Sequence, residues 1–173
     1  MKTIRVKLTE GSIDDAIDEL KLYRQELKSN LRTFVEKLIQ DGVQVAKVWV
    51  ASGQGDSKSA SVRYLINPCG DIVKAEIFLE GKDALFIEFG AGIYYNNGNN
   101  HPKAAEFGYG IGTYPSDHPP NRAINPGYWW YGNKQTGRHL SLGTEATMPI
   151  YHAAETIRNN LIIEAVETLV EGN

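Results

Sequence analysis

The chain has 173 residues, of which 42% are hydrophobic and 23% are charged, as expected for one folded domain rather than a disordered chain. Its net charge of -3 and its 18 scattered Lys and Arg residues do not predict a nucleic-acid surface, and its single cysteine excludes an internal disulfide. No apolar run approaches the roughly 18 residues of a membrane span, and the N-terminus lacks the apolar core of a signal peptide, so we expect neither membrane insertion nor export.

The N-terminal segment alternates apolar and polar residues from Thr3 to Leu8, which predicts a strand with one buried face. A long helix is predicted to follow Gly11. Ser12 is its expected N-cap, because a Ser hydroxyl accepts hydrogen bonds from the first free N–H groups of a helix. The helix is expected to reach Val50.

Apolar residues recur along this helix at steps of three, four or seven, which keeps them on one face. They are Ile13, Ile17, Leu20, Leu27, Leu31, Phe34, Leu38, Val45 and Val48. Gly42 is the predicted position of a break, because glycine weakens a helix interior by about 1 kcal/mol relative to alanine. We prefer a helix laid on a sheet, with part of its length projecting or bent, over a free coiled coil.

Three strands are predicted next. Residues 60–66 and 71–79 form a predicted hairpin around an Asn67–Gly70 turn, and the apolar run 84–89 is a third strand that carries Glu88. Consecutive strands with short connections indicate an antiparallel meander. Together with the N-terminal strand, they predict a sheet of about four strands.

Residues 91–146 are predicted to be a long insertion rich in Gly, Pro, Asn and aromatic residues. Its candidate strand is Tyr128–Tyr131, four consecutive aromatic residues. Because successive side chains of a strand face opposite sides, two of the four are expected to point away from the core. A protein interface is one explanation, since Tyr and Trp are enriched at contacts. Folding back onto the same domain is the other, and stacking on sugars or bases is a minor third.

A second long helix is predicted to begin near Thr147 or Met148, with Pro149 in its first turn, and to continue to the C-terminus. The order of elements predicts a single α+β domain over residues 1–173. In it, both helices pack on one face of an antiparallel sheet of about four strands.

The loop histidines are the first candidates for catalytic residues. His101, Asp117, His118 and His139 are candidate zinc or iron ligands of a small metal-dependent hydrolase, although none of them has the HExxH spacing. Solvated loop histidines are the default interpretation. The glycine pairs lack the further residues of a nucleotide-binding loop, and no G-x-S-x-G motif is present. We therefore expect no enzyme and no cofactor.

Two short segments resemble a known family. The run Leu85–Gly92, which contains Glu-Phe-Gly, and the segment Ala146–Ala154, which opens the last helix with Met-Pro, are similar to motifs of the tail-component or tail-completion proteins of long-tailed bacteriophages. That family is typified by the tenth gene product of phage Hong Kong 97. The chain departs from the family pattern at Ala91, where Thr is frequent, and at Ala153, near a missing second Pro. Its insertion from Ile93 to Gly143 is also longer.

The resemblance implies a non-catalytic virion protein that acts in tail completion or head-tail joining and assembles as a ring. The implied partners are copies of itself and tail tube, tail terminator or head-tail connector proteins, in the virion and, during assembly, in the host bacterial cytoplasm. Neither a membrane nor a specific nucleic-acid sequence is an expected partner. The predicted interface residues are Glu88, Phe89, Gly90, Phe107, Tyr109, Tyr128, Trp129, Trp130 and Tyr131. A carbohydrate-binding module using Trp129 and Trp130 is a further alternative.

Overall fold

The computed structural model of the protein describes residues 7, 9–53, 60–91, 101–103, 106, 129–133, 135 and 137–171. Its elements in chain order are α1 (Glu10–Ser52), β1 (Ser61–Cys69), β2 (Ile72–Glu80), α2 (Ala84–Phe89), β3 (Trp129–Asn133), β4 (Gly137–Ser141) and α3 (Pro149–Ala165), which continues as a π-helical segment, Val166–Glu171. The predicted α+β class and the long helix near each end are confirmed. Over these ranges, no helix has the length and apolarity needed to cross a bilayer.

Helix α1 has 43 residues and therefore spans about 64 Å at 1.5 Å per residue. It begins earlier than predicted, with Thr9 rather than Ser12 at the N-cap. Ser12 lies inside the first turn, where its Oγ accepts a hydrogen bond from the Lys7 N–H at 2.9 Å. The predicted strand Thr3–Leu8 lies outside the described residues except for Lys7, which is not in a strand.

The predicted break at Gly42 is wrong, because α1 continues through this residue to Ser52. A Cβ added at Gly42 would lie 2.7 Å from Ile157 Cδ1 and 2.8 Å from Ile77 Cδ1. Real Cβ atoms do not approach other atoms so closely. The glycine therefore permits close packing of α1 against both α3 and β2, and this packing offsets its weak helix propensity.

The core lies around the C-terminal half of α1. Helix α3 runs antiparallel to this half: the Asn160 side-chain amide donates to Asp41 Oδ2 at 3.2 Å, and the rings of Trp49 and His152 stack with centroids 4.1 Å apart. The buried residues of α1 in this region are Leu38, Ile39, Gly42, Val43 and Ala46. Val48, which the predicted stripe included, is exposed.

Strands β1 and β2 form the predicted antiparallel hairpin, but its turn is shorter than expected. Cys69 pairs with Ile72, so Asn67, Pro68 and Cys69 belong to the strand and the turn is Gly70-Asp71. Gly70 has φ of 63°, which suits glycine at the first position of a two-residue hairpin turn. The Asp71 carboxylate at the hairpin tip binds Arg24 and Lys28 of α1.

The predicted third strand is wrong, because residues 84–89 form the short helix α2. Consecutive residues share an environment here: Leu85 and Phe86 are 52% and 39% exposed, whereas Ile87 and Glu88 are both buried. A strand would alternate these environments, and a six-residue apolar run does not distinguish the two possibilities by periodicity. The described strands therefore form two separate two-stranded sheets, and the predicted meander and single sheet of about four strands are also wrong.

The second sheet lies within the predicted insertion 91–146. Strand β3 pairs antiparallel with β4 in a register that places Trp129 opposite Ser141 and Tyr131 opposite His139. A strand was predicted at Tyr128–Tyr131, of which β3 contains the last three residues, whereas β4 was not predicted, so the described part of the insertion is more regular than expected. Tyr128 lies outside the described residues.

Candidate functional site

A buried carboxylate joins α2 to the start of α3. Pro149 has no N–H and Met148, in the N-cap position, makes no side-chain cap, so the helix needs an acceptor from elsewhere in the chain. Glu88 of α2 supplies it. Its Oε2 accepts the N–H of Ile150 at 2.8 Å, and its Oε1 accepts the N–H of Tyr151 at 3.0 Å. The negative charge also lies at the positive end of the helix dipole.

His101 provides a third contact to this carboxylate. The ring is buried, and its Nε2 lies 3.0 Å from Glu88 Oε1. The Lys103 backbone N–H donates to Nδ1 at 3.0 Å, so Nδ1 must carry a lone pair. The proton therefore lies on Nε2, which donates to Glu88. Both ring nitrogens are occupied, and the imidazole is held against the rings of Phe89 and Tyr151.

Backbone hydrogen bonds extend the contact around Glu88. The Thr147 N–H donates to the Ile87 carbonyl at 2.9 Å, and Ala91 and Thr144 exchange two hydrogen bonds of 2.9 Å each. Gly90, between these contacts, has φ of 76°, a conformation that favours glycine. We call this joined region, residues 87–91 and 144–151, the Glu88 clamp.

A groove of about 380 Å³ lies beside the Glu88 clamp, between α2 and α3. Its polar end is formed by Glu88 and His101, and charged side chains of Lys103, Glu155 and Arg158 line it nearer the surface. The apolar wall consists of Leu79, Ala84, Leu85, Phe89, Ile150 and Ala154. A mostly apolar groove with a few oriented polar groups is typical of a binding site.

Tyr151 is the aromatic polar residue of the groove. Its hydroxyl donates to Glu155 Oε1 at 3.1 Å, and this hydrogen bond to a carboxylate raises the pKa of Tyr151 above its ordinary value. The phenol therefore stays protonated at neutral pH and acts as a donor rather than as a base. Among the described residues, the groove offers recognition groups and no nucleophile paired with a free base.

The predicted interface residues lie in different places. Glu88 and Gly90 are buried in the Glu88 clamp, and Phe89 is half-buried at the groove. Trp129, Trp130 and Tyr131 are in β3, while Phe107, Tyr109 and Tyr128 lie outside the described residues. The six described residues thus form two groups, one at the Glu88 clamp and one in β3. Contact of all nine with a partner stays a prediction.

The predicted metal ligands are not brought together in the described part of the chain. His101 is buried rather than solvated, contrary to the default interpretation, and both of its nitrogens are hydrogen-bonded within the protein. His139 is exposed in β4, and Asp117 and His118 lie outside the described residues. Within the described ranges, no group of three or more His, Cys, Asp or Glu residues is arranged to hold a metal ion.

Sequence reasoning missed four polar residues of this region, namely Lys103, Tyr151, Glu155 and Arg158. A signal for the Glu88 clamp was present, because a proline-opened helix with no Ser, Thr, Asp or Asn directly before Pro149 requires an acceptor from another segment. No local pattern indicates which carboxylate supplies it.

In comparisons with known proteins, no protein-family model, curated protein or solved structure matches the chain.

Proposed function

We propose that this chain is a non-catalytic structural protein of a phage or prophage virion, acting in tail completion or head-tail joining. The proposal depends mainly on the Glu88 clamp. The two segments that resemble the tail-completion family, Leu85–Gly92 and Ala146–Ala154, lie more than fifty residues apart. In the fold they meet through the two hydrogen bonds from the Ile150 and Tyr151 N–H groups to Glu88, so both motifs serve one structural purpose.

The surface beside the clamp also suits protein contacts. Leu85 and Phe86 expose apolar area on α2, and the groove next to them combines apolar walls with charged side chains. Buried apolar anchors surrounded by polar groups are the usual composition of protein interfaces. In this interpretation Glu88 acts by positioning α2 and α3, and the neighbouring apolar side chains make the contact.

The metal-dependent hydrolase receives less support, because His101 already uses both ring nitrogens inside the protein. Metal binding through this residue would require breaking the hydrogen bond to Glu88 or the one from Lys103. A metal analysis of the purified protein tests this alternative directly. The hydrolase would be favoured over the proposed structural role if the protein contained stoichiometric zinc, iron or manganese and unfolded when that metal was removed.

The proposed function is tested by deleting the gene from its phage or prophage and examining the particles by negative-stain microscopy. We expect particles with missing or unattached tails, and tailed particles when the wild-type gene is restored. Glu88→Ala should fail to restore them, because it leaves the first N–H groups of α3 without their acceptor. Normal tailed particles without the gene would refute the proposal.

Glu26→Ala is the matched control for this experiment, since Glu26 is an exposed glutamate of α1. It should restore tailed particles as well as the wild-type gene does. Circular dichroism of both purified variants distinguishes a lost clamp from a failure to fold. A Glu88→Ala protein that is folded and fully active in assembly would show that tail assembly does not depend on the Glu88 clamp.

A further inference from the structure

We infer that the groove beside the Glu88 clamp receives the N-terminal turns of α1 from a second copy of this chain. Ile13, Ile17 and Leu20 lie on one face of α1, and each exposes more than two fifths of its surface. We call these three residues the α1 stripe. Such a row is typical of a helix that binds in an apolar groove, where side chains at these spacings act as anchors.

Charge favours this pairing. Between Glu10 and Leu20 the helix carries five carboxylates and no lysine or arginine. The groove presents Lys103 and Arg158, and their side chains make no ion pair within the described residues. Of its two carboxylates, Glu88 is buried and accepts three hydrogen bonds, whereas Glu155 lies nearer the surface and keeps its charge while it accepts the Tyr151 hydroxyl. At the surface end of the groove two exposed basic side chains therefore outnumber one carboxylate, and this net basic charge is complementary to the acidic start of α1.

The occupant must belong to another copy, because of the length of α1. The groove lies at the C-terminal end of this helix, where His152, next to the groove residue Tyr151, stacks on Trp49. Leu20 lies 29 residues before Trp49, which corresponds to about 44 Å along a continuous helix. A rigid α1 cannot bring its own stripe to its own groove.

A stripe at one end and a groove at the other make a head-to-tail contact. Contacts of this kind use two different surfaces on each copy, and they close into a ring or continue as a filament. Each copy would insert its α1 stripe into the next and receive the stripe of the previous one. This self-docking rests on the proposed function for its biological meaning. It can be tested with the purified full-length chain alone.

The first experiment measures self-association of the full chain by sedimentation velocity over a range of concentrations. Leu20→Glu places a charge in the stripe, and Ala154→Glu places one in the groove wall. Each should weaken association on the order of tenfold or more, since charges are poorly tolerated in the apolar centre of an interface. Both positions are exposed in the single chain, so circular dichroism should be unchanged.

Each variant has a matched control on its own helix. Leu22→Glu changes a leucine that is 58% exposed, against 54% for Leu20, but lies on the opposite face of α1. Asn159→Glu adds a carboxylate at an exposed position of α3 outside the groove lining. Both controls should associate like the wild-type chain. Controls that weaken association as much as the test variants would overturn the inference.

Mixing the two test variants gives the decisive result. The Leu20→Glu chain retains an intact groove and the Ala154→Glu chain retains an intact stripe, so one contact per pair survives. We expect a dimer with one copy of each variant and no larger assembly. Pairing of α1 with α1 of another copy would instead leave Ala154→Glu fully associated, which would overturn the groove assignment.

Failure of this inference differs from failure of the proposed function. A wild-type chain that stays monomeric at all concentrations, yet binds tail or connector proteins through the groove, would refute self-docking and keep the assembly role. Conversely, rings formed by stripe and groove in a chain whose deletion leaves tailed particles normal would support self-docking and refute the assembly role.

Discussion

The two halves of α1 belong to one continuous helix and share one apolar pattern, but their surroundings differ. Of the six buried residues of α1, five lie at positions 38–46, and only Ala16 lies in the N-terminal half. In the C-terminal half, α3 and β2 cover the apolar face. In the N-terminal half, Ile13, Ile17 and Leu20 of the same pattern remain exposed.

This difference shows what an amphipathic pattern specifies. The spacing of apolar residues determines which face of a helix can be buried, and it does not determine which element buries it. At the C-terminal half the partner is in the same chain. At the N-terminal half, where an apolar face remains exposed, we propose that the partner is another copy.

The largest expected effect comes from the same substitution in each half. Leu38→Ala should lower the free energy of unfolding by about 3 kcal/mol, because it removes buried methyl groups and leaves a cavity. Leu20→Ala should change it by less than about 0.5 kcal/mol in the monomer, since Leu20 is exposed. Urea denaturation followed by circular dichroism, at concentrations that keep the chain monomeric, measures both values.

Similar losses in the two variants would contradict the comparison, because they would mean that the N-terminal half is packed within the monomer. The same measurement at high protein concentration tests whether the N-terminal half is covered by another copy. If α1 stripes dock into grooves, Leu20→Ala should become destabilising as the wild-type chain associates, because binding stabilises the folded state by mass action. Leu22→Ala should show no such dependence on concentration.

A glycine in each half predicts effects of opposite sign. Gly42→Ala must displace Ile157 and Ile77, whose Cδ1 atoms lie 2.7 and 2.8 Å from the new Cβ. This overpacking costs about 1–3 kcal/mol, and the gain in helix propensity offsets about 1, so we expect a net loss of about 1 kcal/mol. Gly11→Ala meets no atom within 4 Å and should stabilise the protein by about 0.5 kcal/mol.

Thermal unfolding of the two alanine variants beside the wild-type protein tests this pair. A stabilised Gly42→Ala protein would mean that Ile157 and Ile77 adapt at little cost. The contact among α1, α3 and β2 would then be looser than its geometry implies, and the contrast between the two halves of α1 would be weaker. Gly11→Ala measures the gain in helix propensity alone, because its new methyl group meets no neighbouring atom.

Much of the framework could be predicted, because it depends on local patterns. The extent of α1, the β1–β2 pairing and the start of α3 at Pro149 follow from periodicity, turn residues and proline at a helix start. The α2 run was mistaken for a strand because its helix depends on a distant contact. Glu88 binds N–H groups of residues more than sixty positions later. Short elements take their conformation from such partners.

The site was less predictable than the framework for the same reason. The Glu-Phe-Gly run was singled out, but its partners, His101 and the N–H groups of Ile150 and Tyr151, come from two other segments. His101 was predicted to be a solvated loop histidine because His101-Pro102 resembles an exposed turn. It is buried because Glu88 and the Lys103 N–H satisfy its two nitrogens, which removes the main cost of burying a polar ring.

The smallest expected effect concerns the hairpin tip, where Asp71 binds α1 near the boundary between its two halves. Hydrogen bonds from Lys28 and Arg24 lower the pKa of the Asp71 carboxyl below its ordinary value of 3.8. Folding therefore favours the charged form, so the stabilisation is present above the ordinary pKa and is lost as the pH falls through the lower native pKa. Asp71→Asn should lower Tm slightly at neutral pH, and the difference in Tm from the wild type should disappear at acidic pH.

Salt should also reduce this difference, because Asp71 and both of its partners are exposed and their attraction is screened. Glu76→Gln, an exposed carboxylate in the same hairpin, is the control and should show neither dependence. Thermal unfolding of the three proteins at neutral and acidic pH, with and without salt, completes the test. If the difference in Tm between the wild type and Asp71→Asn persisted unchanged in acid, the ion pairs would not hold the hairpin tip to α1. The part of α1 that is covered by the rest of the chain would then end nearer to Leu38.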